Sequence, residues 1–145
     1  YNDASKTIEW LNSKGVKNKD IVLYGESLGT GVVVELAQHG NYNGIILESP
    51  FTSMEDAAKN IYPWLPVKYL LKDKYDSKAK IKKIKIPILI MHGKKDRIVP
   101  FRMGKRLYDL ANEPKFSFFT DNDDHMMEFN EKLLKSIEDF SGIDS

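Results

Sequence analysis

Short apolar runs alternate along the chain with longer amphipathic segments. The short runs are rich in β-branched and aromatic residues and end at glycine, proline or polar residues, which is typical of buried strands. The longer segments carry apolar residues at helical spacing. The pattern predicts strands over residues 21–24, 44–48, 86–91 and 115–120, and helices over 4–13, 28–38, 102–112 and 125–140.

Strands that alternate with helices predict βαβ units and a parallel sheet. The fold class is therefore α/β, with a parallel β-sheet of about four strands flanked by helices. The chain has 145 residues, a length that suits one domain. We expect a single domain over residues 1–145, in which residues 51–84 form a cap-like or irregular insertion.

A tight turn, Gly25-Glu26-Ser27-Leu28-Gly29, joins the first predicted strand to the helix that follows it. A Gly-x-Ser-x-Gly turn in this context presents the serine hydroxyl above the sheet edge, and its glycines let the backbone pass close to its neighbours. We predict that Ser27 is a nucleophile and that the backbone N–H of Leu28 is an oxyanion donor. The alternative is that Ser27 only caps the helix.

A serine nucleophile needs a base, and the chain has three histidines. His39 falls at the end of a predicted helix, where a capping or surface role is expected. His92 ends the strand over 86–91 and is an alternative base. His125 follows the last strand, which places it at the carboxyl edge of the sheet, where sites in α/β folds lie. We predict His125 as the general base and acid.

An acid should orient the imidazole of this base. Asp96 comes shortly after the strand over 86–91 and would lie at the same sheet edge. Its alternative role is an Asx-turn or helix cap, and Glu48, at the end of another strand, is the competing acid. The preferred set is Ser27, Asp96 and His125.

The chain resembles the α/β-hydrolase superfamily, and within it the serine-aminopeptidase and acylglycerol-lipase-like branch. The resemblance rests on residues 21–31, 48–52, 87–100 and 123–125. The superfamily pattern His-Gly-x-x-Asp-x-x-Val-Pro implies that Asp96 is the acid. The implied activity is hydrolysis of an ester, thioester or amide through an acyl-enzyme, and the branch includes membrane-associated proteins.

The superfamily sheet has eight strands, and its serine turn follows the fifth. The resemblance therefore implies that this chain is the C-terminal half of the domain, with a bare sheet edge beside residues 21–24. It also implies that the second oxyanion N–H comes from an upstream loop. The alternative is a catalytically silent fragment, or a non-catalytic binding domain that needs an upstream half.

Apolar residues predict the wall of an acyl pocket: Phe51, Met54, Trp64 and, beside His125, Met126. The alternative is that such residues pack the insertion onto the sheet. The expected partner is a small-molecule acyl substrate.

Composition narrows the function classes further. The chain has no cysteine, which excludes disulfides and a thiol nucleophile, and it has neither a phosphate loop nor clustered metal ligands. We therefore expect no cofactor and no metal. No apolar run approaches the ~18 residues of a membrane span, and the first residues do not resemble a signal peptide, so we expect a cytoplasmic protein.

Charge is balanced overall but uneven along the chain. The net charge is +1, which gives no global field that would attract nucleic acid. Residues 66–86 carry eight lysines and two aspartates, and residues 121–145 carry eight acidic residues and two lysines. We interpret these stretches as two solvated faces; the alternative is that the basic one meets an anionic partner or a lipid surface. The sequence does not set the oligomeric state.

Overall fold

Four parallel strands form one sheet in the computed structural model, which describes residues 2–61 and 75–142. The strands are β1 (Val22–Glu26), β2 (Gly44–Glu48), β3 (Ile88–Gly93) and β4 (Lys115–Thr120), and they lie side by side in chain order. The helices are α1 (Asn2–Ser13), α2 (Leu28–Ala37), α3 (Met54–Ile61), α4 (Ser77–Lys80), α5 (Phe101–Leu110) and α6 (Glu131–Ser141). The predicted fold class, a parallel sheet of about four strands flanked by helices, is confirmed.

The two central strands, β2 and β3, are buried along their whole length. Alternate side chains of a strand point to opposite faces of the sheet, and each face has its own apolar cluster. One cluster joins Ile45, Ile88 and Ile90 to α2 and α5, and the other joins Ile46 and Leu89 to α6. Burial on both faces explains why these strands have continuous apolar runs rather than alternating ones.

The bounds of most elements differ from the predictions by one or two residues. Strands β2 and β4 have the predicted bounds, whereas β1 runs on to Glu26 and β3 runs from Ile88 to Gly93. Strand β3 therefore includes His92 and runs one residue beyond it. The extension matters for the site, because it carries both strands up to the residues with candidate chemistry.

The prediction of a closing helix over residues 125–140 is wrong at its start. Helix α6 begins at Glu131, and residues 121–130 form a loop, named here the His125 loop. The side-chain oxygen of Asn130 accepts hydrogen bonds from the N–H groups of Lys132 and Leu133, both at 3.1 Å. This N-cap satisfies amides that have no partner inside the helix and so fixes where α6 begins.

The predicted insertion over residues 51–84 contains helical structure where the structure describes it. Helix α3, helix α4 and a 3₁₀ turn at Ile81–Lys83 belong to it, and residues 62–74 lie outside the described residues. Among its lysines, Lys78 forms an ion pair with Asp56 at 2.8 Å and Lys80 forms one with Glu35 of α2 at 2.5 Å.

Helices long and apolar enough to cross a membrane are absent from residues 2–61 and 75–142.

Candidate active site

Ser27 occupies a strained turn between β1 and α2. Its φ is 48° and its ψ is −115°, a combination that non-glycine residues rarely adopt. Gly25 makes the turn possible, because a Cβ there would lie 2.7 Å from the carbonyl oxygen of Gly29. The Ser27 N–H is held by the carbonyl oxygen of Glu48 at 2.9 Å, so the turn is fixed against the neighbouring strand.

The Ser27 side chain does not cap α2, as the capping alternative would require. Its hydroxyl lies 3.0 Å from Nε2 of His125. The backbone carbonyl of Ser27, not its side chain, bonds the first turn of α2 through the N–H and hydroxyl of Thr30. The hydroxyl is therefore available for chemistry.

The structure brings together the three residues of the preferred set. Nδ1 of His125 lies 2.9 Å from Oδ2 of Asp96, while its Nε2 faces Ser27. The other carboxylate oxygen of Asp96 accepts the N–H groups of Ile98 and Val99, both at 2.8 Å. The Asp96 side chain is fully buried and that of His125 is largely buried.

This geometry sets the tautomer of the imidazole. A carboxylate accepts hydrogen bonds, so the proton of His125 lies on Nδ1 and is donated to Asp96. Nε2 then presents a lone pair to the Ser27 hydroxyl. An imidazole oriented in this way can take the serine proton as the oxygen attacks an electrophile.

His92 contacts the same carboxylate, which sequence reasoning did not predict. Its Nε2 lies 3.2 Å from Oδ2 of Asp96 and 2.9 Å from the carbonyl oxygen of Val99, so it donates to two acceptors. It makes no hydrogen bond to Ser27, as the alternative base would. Burial lowers the pKa of His92 below its ordinary value of 6.5, because a charged imidazolium is poorly solvated there.

Glu48, the competing acid, makes no hydrogen bond to a His125 ring nitrogen. Its buried carboxylate accepts a hydrogen bond from the hydroxyl of Tyr24 and another, at 3.4 Å, from the N–H of Met127. Burial raises the pKa of Glu48 and also that of Tyr24.

Leu28 begins α2, so its N–H belongs to the first turn, where amides have no partner inside the helix. The positive end of the helix dipole lies at the same place. The position is compatible with the predicted oxyanion donor.

The predicted acyl-pocket residues that the structure describes do not share one apolar cluster. Phe51 is only 2% exposed and packs with Val99 and Met103, with Met54 against that cluster. Phe51 therefore packs against the start of α5 and the loop before it. Met126 is 67% exposed, and Trp64 lies outside the described residues.

The described residues hold no group of three or more His, Asp or Glu side chains that could bind a metal ion. His39 is exposed just beyond α2, as its sequence position indicated.

A strand, a strained serine turn and a helix at the edge of a parallel sheet are the arrangement of the α/β-hydrolase class. Comparison with known protein families leads to the same class. A model of the phospholipase/carboxylesterase family matches residues 1–140. The chain therefore belongs to this family of α/β hydrolases.

The chain is also similar in sequence to individual proteins. The chain is 40% identical to an uncharacterized protein of Mycobacterium tuberculosis over 114 residues, which cover 78% of the chain and 41% of the relative. It is 34% identical to the lysophosphatidylserine lipase ABHD12 of Danio rerio, covering 78% of the chain and 34% of that protein. The chain thus spans less than half the length of these relatives.

Solved structures share the fold. The acetyl xylan esterase of Paenibacillus sp. R4 superposes with a TM-score of 0.76 at 16% identity, covering 97% of the chain and 50% of the esterase. The monoacylglycerol lipase of Paleococcus ferrophilus gives a TM-score of 0.68 at 19% identity, covering 97% of the chain and 75% of the lipase.

Proposed function

We propose that the chain carries the catalytic residues of a serine hydrolase that cleaves an ester, thioester or amide through an acyl-enzyme. The observation that carries the proposal is the pair of hydrogen bonds from Ser27 to His125, at 3.0 Å, and from His125 to Asp96, at 2.9 Å. The family and the esterases and lipases among its relatives support the reaction class.

In the proposed first half-reaction, Nε2 of His125 removes the proton of the Ser27 hydroxyl while Oγ attacks the acyl carbonyl carbon. Asp96 stabilises the imidazolium that forms. The N–H of Leu28 and the N-terminus of α2 stabilise the negative oxygen of the tetrahedral intermediate. His125 then protonates the leaving group, and the acyl group remains on Ser27.

In the second half-reaction, water attacks the acyl-enzyme while His125 takes its proton. The tetrahedral intermediate collapses, the carboxylic acid leaves, and Ser27 regains its proton from His125. The substrate is a small molecule with an acyl group. The lipases among the relatives favour a lipid ester, and a membrane surface is then where the enzyme would meet it.

A fluorophosphonate probe tests the proposal, because it phosphonylates only a serine that is activated as a nucleophile. We expect labelling of the wild-type protein, its loss in Ser27→Ala, and its retention in Ser117→Ala, a control on the exposed part of β4. If no labelling occurs even when the chain is part of the full-length protein, the chain is the silent or purely binding domain instead.

A further inference from the structure

The His125 loop connects β4 to α6 without regular secondary structure, so the position of its imidazole depends on tertiary contacts. Two contacts come from consecutive residues at the end of β2. The Ser49 hydroxyl donates to the backbone carbonyl of His125 at 2.9 Å, and the Glu48 carboxylate accepts the N–H of Met127 at 3.4 Å. The loop is thus bonded to the end of β2 at the carbonyl of His125 itself and at the N–H two residues beyond it.

The same two residues are bonded to the elements beside β2. The Glu48 carbonyl accepts the N–H of Ser27, and its carboxylate accepts the hydroxyl of Tyr24 from β1. The Ser49 N–H donates to the carbonyl oxygen of Met91 in β3 at 2.9 Å. Glu48 and Ser49 therefore connect the serine turn, two strands and the His125 loop.

Both residues have the features of a constrained connection rather than of ordinary core packing. They are polar, yet Glu48 is 1% and Ser49 0% exposed. Ser49 has a φ of 48°, the same value as Ser27. A non-glycine residue keeps such a backbone only where its surroundings hold it, and such positions cluster at functional sites.

We propose that Glu48 and Ser49 are positioning residues for the reaction, which hold the His125 loop so that Nε2 of His125 stays within hydrogen-bond distance of Ser27. The inference rests on the proposed function. Neither side chain touches the reacting atoms, so each side chain acts through the His125 loop that it holds.

Glu48 also supplies a charge. The ionisable groups that act on its carboxylate are Tyr24 and Glu26 from β1 and His125 from the loop, and His125 is bonded in turn to Asp96. Tyr24 and Met127 both donate to Glu48, which suits a carboxylate, an acceptor only. A negative charge here would stabilise the positive charge that develops on the His125 imidazole as Ser27 attacks.

The first test removes the hydroxyl that holds the His125 carbonyl. Since a misplacement of about 1 Å can cost on the order of 100-fold in rate, we expect Ser49→Ala to lower kcat and the rate of fluorophosphonate labelling by about 10- to 100-fold, with KM little changed. Ser141→Ala is the matched control, because Ser141 is also a buried serine whose hydroxyl donates to a backbone carbonyl, that of Glu138 at 3.1 Å. Equal effects of the two variants, or wild-type rates in Ser49→Ala, would overturn the proposal.

The second test distinguishes the negative charge of Glu48 from the hydrogen bonds that its side chain makes. In Glu48→Gln the amide oxygen can accept from Met127 and the amide nitrogen can donate to the Tyr24 hydroxyl, so the variant keeps the connections without the charge. We expect kcat to fall in Glu48→Gln, because the charge that stabilises the developing imidazolium is lost, while KM and the exchange of the Met127 amide stay near wild type. Glu128→Gln, an exposed carboxylate on the same loop, is the control that leaves kcat in place. An unchanged kcat in Glu48→Gln would contradict the electrostatic part.

Hydrogen exchange gives a readout that does not depend on activity. The Met127 amide should be protected in the wild type and should exchange faster in Glu48→Ala, whereas equal exchange would show that Glu48 does not hold the loop. Wild-type protein that is not labelled at Ser27 would overturn the proposed function and the positioning role with it. Labelled wild type with unaffected Ser49 and Glu48 variants would overturn only the positioning role.

Discussion

Asp96 is the residue on which the candidate site converges. One carboxylate oxygen accepts two backbone N–H groups, from Ile98 and Val99, and the other lies within hydrogen-bond distance of both His92 and His125. The amides fix the carboxylate plane, so the imidazole of His125 has one favourable orientation. A turn-forming aspartate and an imidazole-orienting aspartate are therefore the same residue here, although the sequence presented these roles as alternatives.

Replacing Asp96 with asparagine should impair the reaction by changing the tautomer of His125. If the amide nitrogen takes the place of Oδ2, it donates to Nδ1, which moves the imidazole proton to Nε2 and removes the lone pair that faces Ser27. We expect kcat for a p-nitrophenyl ester to fall by roughly 10³- to 10⁴-fold, as for other enzymes with a serine, histidine and aspartate. Asp109→Asn, at an exposed pair with Lys105, is the surface control, and near-wild-type activity in Asp96→Asn would contradict the assigned role.

His92 should make the stability of the protein depend on pH. Burial depresses its pKa below 6.5, so between the folded-state pKa and 6.5 the unfolded chain binds a proton that the folded chain does not. Stability therefore falls as the pH drops through this window, with a slope of at most about 1.4 kcal/mol per pH unit from this one group.

The variant His92→Gln tests this dependence, because it keeps a donor for Asp96 and Val99 but cannot be protonated. Its free energy of unfolding in urea, measured from pH 7 to pH 5, should fall less steeply than that of the wild type. Parallel curves over this range would show that His92 takes up its proton in the folded state as readily as in the unfolded one.

At the scale of elements, the two glycines of the serine turn have different physical roles. A Cβ on Gly25 would meet the carbonyl carbon of Gly29 and a methyl group of Val33 at 2.8 Å, whereas a Cβ on Gly29 would meet nothing within 4 Å. Only Gly25 is required for β1 and α2 to approach each other.

Alanine at each position should separate these roles. Gly25→Ala should destabilise the protein by about 1–3 kcal/mol, the usual cost of overpacking a well-packed site, because rigid helix backbone is what it meets. Gly29→Ala lies inside α2 and should stay within about 0.5 kcal/mol of the wild type. Urea unfolding measures both, and equal destabilisation would show that the Gly29 position is also closely packed.

The elements that the sequence predicted well are those whose ends carry a local signal. Glycine begins β2 at Gly44 and proline follows it at Pro50, so the bounds could be inferred from the chain itself. The start of α6 could not, because apolar residues such as Met126 and Met127 continue the helical spacing N-terminal to the cap. Asn130 ends that continuity through side-chain bonds that periodicity does not report.

The contacts of the candidate site also divide into those that the sequence indicated and those that depend on tertiary structure. The predictions for Ser27, Asp96 and His125 rested on the Gly-x-Ser-x-Gly turn, on the superfamily pattern around Asp96 and on the rule that parallel strands bring their carboxyl ends to one edge. The connections made by Glu48 and His92 depend on strand register, which pairs Glu26 with Glu48 and Glu48 with Met91. Register is a tertiary property, so no local pattern indicated that β2 would support the His125 loop.

At the scale of the whole molecule, β1 and β4 are the edge strands of the sheet in the described residues, and β1 is the one that leads into the serine turn. It pairs with β2 on one side and with no strand of the described residues on the other. The carbonyl of Ile21 accepts from Asn43, and the N–H of Ser27 donates to Glu48. In a parallel strand, the N–H and C=O groups of one residue point to the same side. The N–H and C=O groups of the odd-numbered residues of β1 therefore point toward β2, and those of the even-numbered residues point away from the sheet.

Amide hydrogen exchange along β1 should therefore alternate. In the isolated chain we expect slow exchange at Leu23 and Gly25, which bond β2, and fast exchange at Val22 and Tyr24, whose amides point away from the sheet. An open edge of this kind is a template for pairing with another strand. Uniform protection along β1 would mean that a further strand or a second copy of the chain occupies the edge. Dilution distinguishes these two cases. Protection by a second copy is lost as the protein concentration falls, whereas protection by a strand of the same chain is not.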